Sequence, residues 1–384
     1  MDILIGTNHL ANFSGSEMVC LEMAAYFRAQ GHRVTVFANV AGDPVARAFR
    51  HELRIEIVTD PARVRPPAFD LVYLQHHVAG LFDYATGPDT RARTAFVFGK
   101  LGRRSFMQSG GWRHERVLAD GYFANSELTG EALAALDLGA PVHVFHNAAP
   151  AAFFRPAVTA TRLRTILVVT NHDDPALMGA IDRLSATHRV RHIGASGGAH
   201  QRVTPDMIRA SDLVISIGKT VPYALAARVP VYVYDHFGGP GYLTPANFAR
   251  AARFNFTGRC CERLLDAQAL AREIVGQYAA GLAFAAGSGP AELERYRLEP
   301  HLDALLATEA SDNAARAARM AASGPDLQAE RLMATYVREQ SRDAQFLLRR
   351  PLRVLRRRLV AEAALAARRG RRTAGGLIGR LRGD

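Results

Sequence analysis

The sequence is poor in the residues that build crosslinks and metal cages. Cys20, Cys260 and Cys261 are its three cysteines in 384 residues, too few for a disulfide framework and without CxxC or Cys/His ligand spacing. That usage suits a reduced compartment, so a cytoplasmic location is expected. Lysine is nearly missing: Lys100 and Lys219 stand against 46 arginines. Alongside so much alanine this reads as GC-rich coding bias, and arginine abundance alone says little about function. No apolar run approaches the roughly 20 residues of a spanning helix. The start, MDILIGTNHL, has an acid at position 2 and a short apolar run, unlike a secretory signal. There is no GxGxxG fingerprint, and no upstream glycine to make a Walker A loop of Gly218-Lys219-Thr220. No Asp-x-Asp triplet occurs. His172, Asp173 and Asp174 are adjacent, and adjacent side chains rarely converge on a metal, so a polar loop is expected there.

What is present is a large globular chain. Hydrophobic residues make up 48% and charged residues 22%, which excludes a disordered polymer and leaves room for two or three domains. The net charge is +12. Residues 341–384 hold 13 arginines and three acids (Asp343, Glu362 and Asp384), so that tail carries +10 and the rest of the chain +2. A nearly neutral body argues against a nucleic-acid binder. In the tail, Leu348, Leu352, Leu355 and Leu359 share one helical face, while Arg349, Arg350, Arg353, Arg356, Arg357 and Arg358 cover much of the remainder. That is a basic amphipathic helix, with Pro351 a candidate start, and an anionic membrane surface is its expected partner.

Along the body, short apolar runs alternate with helical spacing. Runs 3–6, 34–37, 53–58, 71–74, 95–98, 121–124 and 142–145 read as strands, with a helix at 16–30 and another at 128–136. A proline- and alanine-rich stretch at 148–162 reads as a linker. A second series follows: strands at 165–170, 189–193, 213–217 and 231–234, and helices at 205–210 and 221–227. Two consecutive α/β series predict two doubly wound, Rossmann-like domains facing a cleft, with ligands beyond the carboxyl ends of the strands. The expected division is 1–155, 156–305, a helical segment 306–340 and the tail 341–384.

Candidate site residues therefore come from loops after strands. Gly15 and Ser16 open the first helix, whose N-terminus suits an anion such as a diphosphate, although taken alone an ordinary capped turn is the plainer reading. Gly218, Lys219 and Thr220 follow a strand and could bind phosphate. The run 235–241, Asp-His-Phe-Gly-Gly-Pro-Gly, reads as a glycine-rich loop, with Gly238 and Gly239 open to a sugar or phosphate. His76 and His77 close another strand and are candidates for hydroxyl contacts or proton transfer. Lys100 ends the strand 95–98.

These segments resemble the GT-B glycosyltransferases, and more closely the large retaining group that uses nucleotide-sugar donors. MDILIG, the Ser14-Gly15-Ser16-Glu17 loop and the strand after Gly31-His32 resemble that group's opening. Residues 69–76 resemble its Asp-to-His strand, and 119–126 its serine-terminated strand. Phe145-His146-Asn147 with Phe154-Arg155-Pro156 resembles its hinge, and 224–231 its helix before a Pro-Val strand. The sequence departs from the group at two glutamates spaced eight apart, where it has Ile215 or Ser216 and then Tyr223. It also lacks the Arg and Lys pair for the diphosphate, reading Thr170-Asn171-His172-Asp173-Asp174-Pro175 there. The resemblance implies metal-independent, retaining transfer of a sugar from a nucleotide-sugar to a glycan or lipid-linked acceptor, with no further cofactor. It implies that 1–155 is the acceptor domain and 156–305 the nucleotide-sugar donor domain, with donor contacts at Gly218, Lys219, Thr220, Tyr223 and the 238–241 loop and the leaving charge met by Lys219, Lys100 or an arginine. His76 or His77 would orient hydroxyls. A nucleotide-sugar epimerase and a non-catalytic GT-B-like scaffold are the alternative readings.

Overall fold

The computed structural model describes residues 1–102, 111–158, 160–194, 197–198, 201–287 and 290–349. The expected amphipathic helix of the tail, from Arg350 onward, lies outside the described residues.

The first series comprises β1 (Asp2–Leu10), α1 (Gly15–Ala29), β2 (Arg33–Ala41), α2 (Val45–Leu53), β3 (Ile57–Val58), β4 (Leu71–Gln75) and β5 (Arg93–Lys100). It continues through α3 (Trp112–Leu118), β6 (Gly121–Ala124), α4 (Glu127–Ala134) and β7 (Val142–Val144). The strands pair in parallel in the order β3-β2-β1-β4-β5-β6-β7. Both faces are covered: Ile3, Ile5 and Tyr73 pack with α1 on one side, Leu4, Val72 and Phe96 against Phe82 and Tyr84 on the other. That two-sided burial is why these strands read as continuous apolar runs. The expected strand at 53–58 shrinks to Ile57–Val58, because Leu53 closes α2 and Arg54 turns the chain with a left-handed φ of 57°.

The second series comprises β8 (Thr165–Val169), α5 (Pro175–Ser185), β9 (Arg189–Ile193), α6 (Pro205–Arg209), β10 (Leu213–Ser216), α7 (Thr220–Ala226), β11 (Val231–Asp235) and β12 (Gly238–Tyr242). Its sheet runs β12-β11-β10-β8-β9 and is parallel except at β12. The glycine-rich loop expected at 235–241 is therefore largely a strand, paired antiparallel with β11. Glycine serves the sheet there. A Cβ on Gly239 would lie 2.0 Å from the Val233 carbonyl oxygen, and Gly238 has φ 85° with a Cβ position 2.2 Å from Arg263 O.

Five α-helices follow among the described residues: α8 (Phe248–Arg253), α9 (Ala267–Gly276), α10 (Tyr278–Gly287), α11 (Pro290–Glu294) and α12 (Leu298–Leu306). The chain then returns to the first sheet. Ala149 N–H donates to Tyr296 O and Leu298 N–H to Ala149 O, and Leu298, Leu302 and Leu305 of α12 join the core beside α1. The return thus begins before residue 305, the boundary expected from sequence. Next, β13 (Ser311–Asp312) pairs antiparallel with β5, and α13 (Asn313–Ala322) sets Arg316 into a buried ion pair with Asp120. The last helix, α14 (Gly324–Arg349), crosses a boundary between compact units, Met1–Thr335 and Tyr336 onward. Two Rossmann-like α/β sheets in the first unit form the GT-B architecture. Among the described residues no helix is long and apolar enough to cross a membrane.

Candidate functional site

The carboxyl ends of β1, β8 and β10 open onto one cleft. After β1, the Glu17 carboxylate accepts the backbone N–H groups of Ala11 (2.7 Å), Asn12 (3.1 Å) and Ser14 (3.1 Å), which fixes the loop leading into α1. Ser14 and Glu17 form a capping box at that helix start. Across the cleft, Ser216 donates to Val169 O (2.8 Å) and Gly218 turns the chain into α7 with φ 57°. The two helix starts nearly touch: a Cβ on Gly15 would lie 4.0 Å from the Lys219 Cβ.

Between them is a cavity of about 350 Å³. Of the residues expected at the site, Gly15, Ser16, Gly218, Lys219, Thr220 and Tyr223 line it. Neutral amides supply much of the remaining polarity, from Asn125, Asn147, Asn171, Gln201 and Asn255. A second lobe of about 510 Å³ shares Asn125, His172, Ile217 and Asn255 with the first and extends past Ser126 and Thr129 to Phe237 and Arg259.

Lys219 does not stand as a bare cation. Its ammonium is 2.6 Å from the Glu22 carboxylate and 2.7 Å from the Ala148 carbonyl, and 5.3 Å from the centre of the Tyr223 ring. Lys219 is 7% exposed and Glu22 4%. The Tyr223 hydroxyl donates to the same carboxylate, and its ring stacks on Phe153 at 4.1 Å. Burial first, and Glu22 second, hold the Tyr223 phenol well above its ordinary range, so it stays a donor. One carboxylate of α1 thus gathers α7, and the linker joins through Ala148 and Phe153. Where the resemblance places a family glutamate, this chain sets a tyrosine facing a glutamate from the other sheet.

The other expected residues lie elsewhere. Lys100 is buried in the first sheet, 2.6 Å from Glu115, whose carboxyl is pushed up to about 7 by burial against the pull of that lysine. His76 follows β4 with a left-handed φ of 65°, its Nδ1 2.9 Å from the Thr7 hydroxyl. Burial, then the charges of His9 and Lys100, pushes the His76 imidazole down to about 4. Burial lowers His77 as well. Both histidines sit at the same sheet end as the cleft, but among the described residues neither lines either lobe, and Gly238 and Gly239 do not either.

Sequence reasoning missed Glu22 and Asn255, and read Asn147 as hinge where it also lines the cleft. Asn147 and Asn255 join at 2.8 Å, each with a positive φ, across the linker. Glu22 left one signal, an acid inside the apolar run Met18 to Ala24 of α1. A larger cavity of about 730 Å³ opens at the opposite ends of β6 and β7, but its buried carboxylate, Asp120, is already held by Arg316, Ser311 and the Phe96 N–H. No group of three or more His, Cys, Asp or Glu side chains among the described residues is arranged to hold a metal ion.

No family model matches the chain, and no curated protein sequence matches it. Solved structures of similar fold include the lipopolysaccharide outer core galactosyltransferase WaaB, 11% identical over 79% of this chain and 97% of its own, with a TM-score of 0.41. MurG of Acinetobacter baumannii is 11% identical over 79% of this chain and 99% of its own, at 0.42. The S. aureus MnaA–UDP complex is 12% identical over 80% of this chain and 97% of its own, at 0.44.

The histidines set a pH dependence. His76 and His146 are both pushed down to about 4 from 6.5, chiefly by burial, so the unfolded chain takes up protons first as pH falls. The two histidines should lower stability from pH 6.5 toward pH 4, offset in part by Glu115, which takes up its proton in the folded chain between about pH 7 and 4.5. Thermal unfolding across that range checks it. A His76→Asn variant should show a shallower decline, and an unchanged slope would contradict the assignment.

Proposed function

We propose that the protein is a glycosyltransferase that moves a sugar from a nucleotide-sugar donor to a glycan or lipid-linked acceptor. The observation that carries the reading is the cleft itself. It lies at the carboxyl ends of both parallel sheets, where the start of α1 meets the β10–α7 turn around the 350 Å³ cavity. First-turn N–H groups of a long helix lack intrahelical partners and favour a diphosphate, so α1 offers Gly15 and Ser16 to the leaving group. Lys219 stands next to that position and shares its charge with Glu22. In this reading the acceptor oxygen forms a bond to the anomeric carbon on the face from which the diphosphate leaves. The acceptor proton passes to the departing phosphate oxygen, and no metal takes part. His76 and His77 stay outside this scheme because neither lines the cleft.

One observation favours the non-catalytic alternative: the only lysine of the cleft among the described residues is already committed to a carboxylate and a carbonyl. Transfer or hydrolysis across a panel of UDP-, GDP- and CMP-sugars separates the readings, and nucleotide binding is its precondition. Titration of the full chain with UDP, GDP, CDP and dTDP should give saturable binding for at least one, and Lys219→Gln should weaken it about tenfold or more. No binding by any of them would reject the transferase reading. Turnover of a nucleotide-sugar without an acceptor, into an isomer, would point to an epimerase.

We further propose that the basic tail binds the cytoplasmic face of a membrane, near a lipid-linked acceptor; its 13 arginines against three acids support that reading. Each arginine near an anionic surface contributes about 1 kcal/mol. Flotation with anionic vesicles should therefore drop sharply when Arg356, Arg357 and Arg358 are changed together to Gln. Equal flotation of both chains would contradict the tail's role.

A further inference from the structure

The second lobe of the cleft holds a cation that no carboxylate answers among the described residues. Arg259 is exposed on its wall, the guanidinium 4.1 Å over the Phe237 ring. Its neighbours in sequence are all engaged: Arg253 with Glu131 at 2.7 Å, Arg263 with Glu273 at 2.7 Å, and Arg250 with the Cys260 carbonyl. Arg259 forms no ion pair among the described residues. The carboxylate on the same wall, Asp235, is buried, and each of its oxygens accepts a backbone N–H, from Phe237 (2.7 Å) and from Gly258 (3.2 Å). Asp235 therefore ties together the two segments that carry the ring and the arginine.

This arrangement is built before any ligand arrives. A guanidinium lying on an aromatic face loses less freedom on binding, and its planar fork matches a carboxylate or phosphate. His236 packs 4.0 Å from Phe237, and His172 4.9 Å from His236, so the aromatic wall continues back to the first lobe. On the opposite side, Ser126 and Thr129 are hydrogen-bonded to each other at 3.0 Å and present a small, neutral surface. The volume, about 510 Å³, is in the range of a small-molecule pocket.

We infer that the second lobe receives the acceptor, and that the acceptor is an anionic sugar whose carboxylate or phosphate is bound by Arg259. The term acceptor rests on the glycosyltransferase reading; the preference for an anionic sugar rests on the lobe alone. Ligand-observed NMR titration of the full chain with glucuronic acid, glucose 6-phosphate and glucose tests it, with UDP as a separate probe of the first lobe. At least one charged sugar should bind about tenfold more tightly than glucose, and the stronger of the two tells carboxylate from phosphate. Arg259→Gln should remove the preference and leave UDP affinity within about twofold, while Arg259→Lys should keep part of it. Equal binding of charged and neutral sugars, no binding of any sugar, or a preference that survives in Arg259→Gln would overturn the inference. A chain that prefers charged sugars but binds no nucleotide would keep it and reject the transferase reading.

Discussion

The buried ion pair between Glu22 and Lys219 ties the two sheets together at the floor of the cleft, where both charges are shielded from water. It joins a helix packed on the first sheet to a helix packed on the second, and Lys219 reaches the linker carbonyl of Ala148 as well. Charges this deeply buried lose their hydration, and the loss is offset only when geometry is good and the remaining polar atoms are satisfied. Tyr223 supplies part of that satisfaction by donating to the second carboxylate oxygen. Removing either charge would leave the other stranded between the sheets. The pair therefore specifies how the sheets meet more than it adds to their stability.

The same pair shapes the chemistry of the cleft. With Lys219 held by Glu22, the first lobe presents helix N–H groups and neutral amides, a lining suited to a ligand recognised through many hydrogen bonds. Among the described residues that line the two lobes, a positive charge without a carboxylate partner stands in the second lobe, at Arg259. The two lobes thus differ in electrostatic character although they share a wall through Asn125, His172 and Asn255. A donor and an acceptor of different charge would be sorted by that contrast.

Much of the fold was legible because strands buried on both faces read as apolar runs, as in Thr165–Val169 and Leu71–Gln75. The cleft position followed from strand order, and six of the expected site residues do line it. What could not be read was which distant groups meet. Glu22 and Tyr223 are 201 residues apart, and periodicity within α1 counts Glu22 only as an interruption. Gly238 and Gly239 look like an open loop in sequence because glycine carries no side chain to reveal a strand; their role is to let β12 approach its neighbours. Lys100 had the right strand end, but Glu115 draws it into the first sheet. Residues Leu298 to Leu305 have helical spacing that does not say which of two cores receives it.

The coupling between Glu22 and Lys219 tests the central claim most directly. Denaturant unfolding of Glu22→Gln, Lys219→Met and the double variant gives a double-mutant cycle. The account predicts that each single change costs about 3–5 kcal/mol and that the double change costs less than their sum by about 2 kcal/mol or more. Effects that add to within about 0.5 kcal/mol would contradict it.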